Sequence, residues 1–481
     1  MSMHNSWKHL FSPDSVAVIG ASNTPGSWGY GIMQRLLAPS GRLVYPVHPS
    51  ASEVFGITAL RSVVDIPGPV DLAVIVVAAS QVARVLEECV RKGTGAAVVI
   101  SGGFAETGRK GRSLEIGLVK IARRGGIRFV GPNSMGHANT YSRLSTLAWT
   151  GEIATGPVAL LSQSGNMGHR IIYSGMSSGI GFSKFVSTGN EADLHLEDYL
   201  EYLAHDDETG IIAIYIEGLR EGRRFLRLAR EITARKPIVV LKTGGTKEAA
   251  RAIMSHTGAL AGSDVVYTAA LRQAGAIKVA DDEELCDVIS ALLYQPLPRG
   301  NRIGVLTVGG GLGVVAAEAC EREGLKVARL GASTMRKLNA SLPPRWSHRN
   351  PVDIGGIHMT ESSLIFSAFR ALIEDRAVDA VLLQVPLVFS TRRLSRVFNT
   401  EELMAFKETE ETELNMLSEW VKKHGKPVYV VKVSPEFFTE PETVSPLRRA
   451  VIPVYASPQR ATRVLRRLLW YRQYLDNLVK S

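Results

Sequence analysis

The stretch SVAVIGASNTPG, residues 15–26, decides the fold class. A short β-branched apolar run ends directly on Gly20, and a helical pattern follows. Continuous apolar runs mark strands buried on both faces, which is the habit of parallel sheets covered by helices. The same order of events recurs at RLVYPV (42–47), DLAVIVV (71–77), GAAVVISG (95–102) and IRFVG (127–131). Between them, SQVARVLEECVRKG (80–93) has helical periodicity and stops at a glycine. Residues 1–140 are therefore expected to form a doubly wound, Rossmann-like α/β domain.

The grammar restarts after Gly156-Pro157. PVALLSQSG (157–165), GIGFSKFVSTGN (179–190), GIIAIYIEG (210–218) and KPIVVLKTGG (236–245) predict a second α/β domain over 150–295. QPLPRGN (295–301), with two prolines and a glycine, reads as a linker. A third α/β domain is expected over 301–481. Its strands are RIGVLTVGGGLG (302–313), LKVARL (325–330), AVDAVLLQVPL (377–387) and KPVYVVKVS (426–434), and it closes in the basic helix 461–475. The alternation of acids and apolar residues over 401–425 predicts a solvated helix face.

Composition narrows the function. The chain has 481 residues, 56 Lys plus Arg, 46 Asp plus Glu and 3 Cys. Cys89, Cys286 and Cys320 are far apart and form no CxxC or Cys/His spacing, which excludes a disulfide framework and a zinc ribbon. No run of about 18 apolar residues occurs, and the first fifteen residues lack an apolar core before a cleavage site, so a cytoplasmic protein without a membrane span is expected. The formal charge of +10 is uneven, at +7, −4 and +7 over 1–150, 151–300 and 301–481. With no arginine-rich arm, aromatic RNA-binding motif or zinc finger, nucleic acid is not the expected partner. A small polyanion such as a nucleotide or coenzyme fits the charge.

The first strand-to-helix turn, Gly20-Ala21-Ser22-Asn23, offers close backbone approach and free N–H groups to a phosphate. It is not a dinucleotide fingerprint. Ser22 stands where a second glycine belongs, and the strand ending Tyr45-Pro46-Val47-His48-Pro49 carries no acid for a ribose hydroxyl, so NAD is disfavoured.

Eight ordered motifs, VAVIGASNTPGSWGYGI (16–32), YPVHP (45–49), SGGFAETG (101–108), GPNSMG (131–136), LLSQSGNMG (160–168), STGNEAD (187–193), SHTGALAGSD (255–264) and NPVD (350–353), resemble the nucleoside-diphosphate-forming acyl-CoA synthetases, relatives of the succinyl-CoA synthetase α subunit. The resemblance implies a Rossmann-like CoA-binding domain followed by two flavodoxin-like domains. It also implies the reversible conversion of a carboxylic acid, CoA and ATP to acyl-CoA, ADP and phosphate through an acyl phosphate and a phosphohistidine. The implied phosphohistidine is His256, with Glu217 as the carboxylate that holds the other ring nitrogen. Ser162, Ser164, Gly165 and Asn166 are the implied phosphate loop. Gly20, Ala21, Ser22, Asn23, His48, Ser101, Gly102 and Asn133 are the implied CoA contacts. Where relatives have Asn-Pro-Lys, this chain has His48-Pro49-Ser50, and Arg42 is expected to supply the missing cation.

A histidine suits the transfer because its neutral ring is nucleophilic near physiological pH. Gly309-Gly310-Gly311-Leu312-Gly313 is read as a tight strand-to-helix turn, and His195 as a solvated residue at a helix start. The chain contains no GxxxxGK[ST] loop and no counterpart of the family's ATP-grasp part. An ATP-grasp β subunit carrying magnesium and ADP or ATP is therefore the expected partner, in a hetero-oligomer. The alternative is a non-catalytic CoA sensor or scaffold. A nicotinamide-dependent dehydrogenase is disfavoured by the missing acid after Val47.

Overall fold

Strand Ser15–Ile19 is an interior strand of a five-stranded parallel sheet in the order Leu43–Val47, Ser15–Ile19, Leu72–Ile75, Ala96–Val99, Arg128–Val130. Alternation along the strand explains its all-apolar sequence. Val16 and Val18 pack with Ile32 and Leu36 on one side, while Ala17 and Ile19 pack with Val82, Leu86 and Phe129 on the other. Each large side chain so buried contributes ~1.5–3 kcal/mol. The helix predicted at 80–93 is Ala79–Lys92, closed by Gly93 in the left-handed conformation at φ 73°.

The computed structural model describes all of the chain except residues 1–2, 39–40, 150, 250, 252–262, 356–361, 389–394, 397, 434–445, 448, 451 and 481. The described residues divide into two compact units, Met1–Leu285 and Cys286–Ser481.

The first unit holds a second sheet of seven strands: Ile277–Val279, Ile238–Lys242, Ile211–Ile216, Thr155–Ser162, Phe182–Ser187, His137–Asn139 and Leu144–Ser145. Five are parallel, and their chain order reads 2-1-3-4-5, the flavodoxin arrangement. His137–Asn139, expected inside the first domain, instead pairs antiparallel with Phe182–Ser187. Its place is anchored from the other side. The His137 ring bonds Leu10 O through Nε2 at 2.6 Å, and burial lowers its pKa to about 4, so the ring is neutral.

The second unit has its own sheet, in which Lys326–Val327, Arg302–Thr307, Ala380–Gln384, Val428–Val431 and Val454–Tyr455 follow one another in space and Val352–Asp353 lies beside Arg302–Thr307. The 401–425 pattern is the helix Thr400–His424, with Leu414, Leu417 and Val421 turned inward. Gln295, read as the start of a linker, is buried and accepts from Val428 N at 2.8 Å. The glycine run 309–311 is the expected turn into the helix Gly310–Arg322. Among the described residues no helix is long and apolar enough to cross a membrane. All three cysteines are buried thiols, and burial pushes Cys89 up to about 12.

Candidate functional site

In an open parallel sheet, ligands bind outside the carboxyl ends of the strands where the strand order reverses. In the first sheet that point lies between Ser15–Ile19 and Leu72–Ile75, and Gly20 occupies it. Gly20 has φ +96°, and a Cβ there would come 2.3 Å from Val76 O, so only glycine fits. Gly29 brings the following helix equally close, since a Cβ there would lie 2.1 Å from Gly20 O. Ala21 is buried behind the turn, and Ser22 accepts from Thr24 N at 3.0 Å. The exposed Asn23 holds the neighbouring hairpin, donating to Glu53 O and accepting from Phe55 N.

His48, Ser101, Gly102 and Asn133 sit on the loops after three other strands of the same sheet. His48 Nδ1 accepts from Ser50 N and Ala51 N, so the ring shapes its own loop and leaves its hydrogen on Nε2. Ser101 donates to Val77 O at 2.5 Å. Gly102 and Asn133 are exposed at the rim.

Arg42 is not among them. It precedes the strand Leu43–Val47, at the opposite end of that strand from His48. Its guanidinium donates to Pro13 O at 2.8 Å and to Ser142 O at 3.0 Å, and burial lowers its pKa. The expectation that Arg42 replaces the missing lysine has a strand's length between Arg42 and His48 against it. Five residues of strand span about 16 Å.

The second loop cluster lies at the carboxyl ends of the seven-stranded sheet. Strand Thr155–Ser162 runs into the helix Gly165–Ser177, whose N-cap Ser164 accepts from Met167 N. The buried Ser162 donates to Ser164 O at 2.5 Å and tightens the turn. Gly165 fits against Met135, whose Sδ would lie 2.2 Å from a Cβ, and Asn166 is exposed at the helix start. The first-turn N–H groups of this helix form an anion-favouring end. Glu217, nearly buried, follows the neighbouring strand Ile211–Ile216. Gln163 joins the two, accepting from Glu217 N at 2.6 Å.

The two loop clusters meet within the first unit. Asn190 donates to Glu106 Oε2 at 2.5 Å and to Glu115 Oε2 at 2.9 Å, while Asn133 donates to Asn190 Oδ1 at 3.3 Å. Asn190 N and Ala192 N bond to Pro132 O and Gly131 O. Thr188 N, two residues before Asn190, donates to Ser162 O at 2.9 Å, so the expected coenzyme loops and the expected phosphate loop are held as one assembly.

His256 lies outside the described residues. Lys242, at the end of the strand before that segment, is nearly buried with Nζ 4.5 Å from the Tyr267 ring centre, and burial lowers its pKa. His195 stands at the N-cap position of the helix Leu196–Ala204 as expected, but its side chain is partly buried rather than solvated and lies 3.6 Å from Glu221. Gln163, Asn190 and Glu191 were inside the quoted motifs without a role. Apart from the Thr188–Glu191 bond, the side-chain partners that join these loops are 28 to 84 residues away in the chain, so only position between glycine-rich turns marked them.

A CoA-binding sheet joined to a flavodoxin-type ligase sheet defines the class of acid–CoA ligases that work through the succinyl-CoA synthetase plan. Residues 14–140 match the family of CoA binding domains, and residues 155–292 match the succinyl-CoA ligase like flavodoxin domain. The chain is 42% identical over 374 residues to the α subunit of acetate–CoA ligase [ADP-forming] II of Pyrococcus furiosus, covering 78% of this chain and 81% of that one. It is 36% identical to the α subunit of ligase I of the same organism, covering 95% and 96%. The 4-hydroxybutyrate–CoA ligase [ADP-forming] of Nitrosopumilus maritimus is 39% identical over 351 residues, which are 72% of this chain and half of that longer one. The solved acetyl-coenzyme A synthetase 1 of Ca. Korarchaeum cryptofilum, in complex with phosphate and ADP, superposes with a TM-score of 0.84 at 33% identity over 99% of both chains. The chain belongs to the ADP-forming acyl-CoA synthetase family and is of its α-subunit type. It is an acid–CoA ligase component with CoA as substrate, and these relatives favour that reading over a CoA sensor.

Proposed function

We propose that this chain, with an ATP-grasp β subunit that holds ATP and magnesium, converts a small carboxylic acid, CoA and ATP to acyl-CoA, ADP and phosphate through phospho-His256. His256 attacks the γ-phosphorus of ATP and releases ADP. A carboxylate oxygen of the acid then attacks that phosphorus, giving an acyl phosphate and freeing the imidazole. The CoA thiolate attacks the acyl carbon and expels phosphate, and the sequence runs equally in reverse.

Within this scheme Glu217 accepts a hydrogen bond from the phosphorylated ring, fixing its tautomer and stabilising its positive charge. The N-terminus of the helix Gly165–Ser177 offers its N–H groups to phosphoryl oxygens, a stabilisation that preorganised dipoles supply without reorganisation. Gly20, Ala21, Ser22, Asn23, His48, Ser101, Gly102 and Asn133 form the CoA crevice.

The observation that carries the proposal is the joining of the two loop clusters through residues 188–191: Asn190 bonds Glu106 and Asn133 of the coenzyme loops, while Thr188 N donates to Ser162 O and Glu191 accepts from Gln163 Nε2 of the phosphate loop. A separate β subunit is supported by the Pyrococcus relatives being named α subunits. The test is labelled ATP with the assembled enzyme. The chain should acquire a label lost in acid and kept in base, and His256→Ala should abolish it. An unchanged label in that variant overturns the assignment.

A further inference from the structure

Three successive backbone N–H groups after the strand Ile211–Ile216 are held by side chains. Glu217 N and Gly218 N donate to Gln163 Oε1 at 2.6 and 3.1 Å, and Leu219 N donates to the Tyr267 hydroxyl at 3.0 Å. The other end of the Gln163 amide is equally committed. Its Nε2 donates to Gly218 O at 2.8 Å and to Glu191 Oε1 at 3.1 Å, and that same Oε1 accepts from Thr188 Oγ1 at 2.8 Å. Two donors on one side and two acceptors on the other admit a single orientation of the amide.

We propose that Gln163 is a positioning residue for Glu217: Glu191 and Thr188 aim its amide, and the amide fixes the Glu217-Gly218 turn from which the carboxylate is presented. This rests on the phosphohistidine reading, in which Glu217 orients the ring of His256. Gln163 also lies between Ser162 and Ser164, so one side chain couples the register of the phosphate loop to that of the orienting carboxylate. Misplacing a catalytic group by about 1 Å costs on the order of 100-fold in rate. A clamp on the backbone of Glu217 is the kind of contact that prevents it.

The titratable and charged groups that face Glu191 are Arg220, which donates to Asn190 O, and Glu197 and Tyr199 of the helix Leu196–Ala204. Burial, only partly offset by Gln163 and Thr188, raises Glu191 to about 7. A second carboxylate at position 163 would therefore stand against a group already reluctant to ionise.

The experiment measures the rate of acid-labile labelling of the assembled enzyme by labelled ATP at pH 6 and pH 8. In Gln163→Glu the new carboxylate still accepts from Glu217 N and Gly218 N, but its second oxygen faces two acceptors, Gly218 O and Glu191. A shared proton relieves that clash at low pH. Labelling should stay within about 3-fold of wild type at pH 6 and fall by roughly 10- to 100-fold at pH 8. Adding Glu191→Gln restores a donor toward position 163 and should recover most of the loss at pH 8. Gln163→Leu, of similar volume and without polar atoms, should lower kcat and leave the KM for CoA unchanged. A Gln163→Glu profile parallel to wild type, no recovery in the double variant, or an unchanged kcat in Gln163→Leu overturns the inference while the wild-type label stands. Wild type without a label overturns the phosphohistidine reading and this inference together.

Discussion

The side-chain amide of Asn190 donates to Glu106 Oε2 at 2.5 Å, and through that bond the loop after one sheet grips the loop after another. Glu106 in turn accepts from Gly103 N and Phe104 N, and these bonds with Asn190 outweigh its burial and lower its pKa. A carboxylate whose pKa is lowered by folding stabilises the fold above its unfolded pKa, and that contribution is lost as pH falls through the folded value.

Asn190→Asp places a third carboxylate against Glu106 and Glu115. We expect a loss of ~1–3 kcal/mol in unfolding free energy at pH 8, shrinking toward pH 4 as the acids protonate. Denaturant titrations of the full chain at both pH values check it. Equal loss at the two values would count against charge repulsion.

Arg42→Ala should leave CoA affinity within about 2-fold of wild type, because Arg42 stands at the amino end of its strand, a strand's length from His48. It should instead destabilise the chain by ~1–3 kcal/mol, since Pro13 O and Ser142 O lose a charged donor. Calorimetry with CoA and a melting curve separate the two effects. A 10-fold weaker CoA complex would return Arg42 to the binding site.

Glu191→Gln removes a buried acid whose folded pKa is raised to about 7. An acid with a raised folded pKa stabilises the fold fully below its unfolded pKa and loses that contribution as pH rises through the folded one. Wild type should therefore lose on the order of 3 kcal/mol relative to Glu191→Gln between about pH 4.5 and pH 7.5. Parallel unfolding curves across that window would show that Glu191 ionises freely.

Purified alone, the chain should form no thioester from acid, CoA and ATP, and a β subunit with an ATP-grasp site should restore the reaction. Thioester formation by the pure chain, with mass spectrometry excluding a second protein, would be the contrary result.

Hydrophobic periodicity alone was enough for the five strands of the first sheet and for the longer strands of the other two, but not for the short strands His137–Asn139, Leu144–Ser145, Ile277–Val279, Val352–Asp353 and Val454–Tyr455. Apolar runs such as SVAVI and IIAIYI are local, and their burial on both faces follows from the parallel pairing they force. The glycine at 20 was legible for the same local reason. What chain position could not reveal is which ends of the elements come together. Arg42 is six residues from His48 along the chain and a full strand length from it in space, because an extended backbone separates its ends as far as any structure does. Glu106 and Asn190 are 84 residues apart and share a hydrogen bond. The pairing of His137–Asn139 with the second sheet, and the grip of Gln163 on the turn of Glu217, likewise depend on contacts between distant segments. Such contacts form only once both sheets are packed, so no period or motif in the chain encodes them one residue at a time.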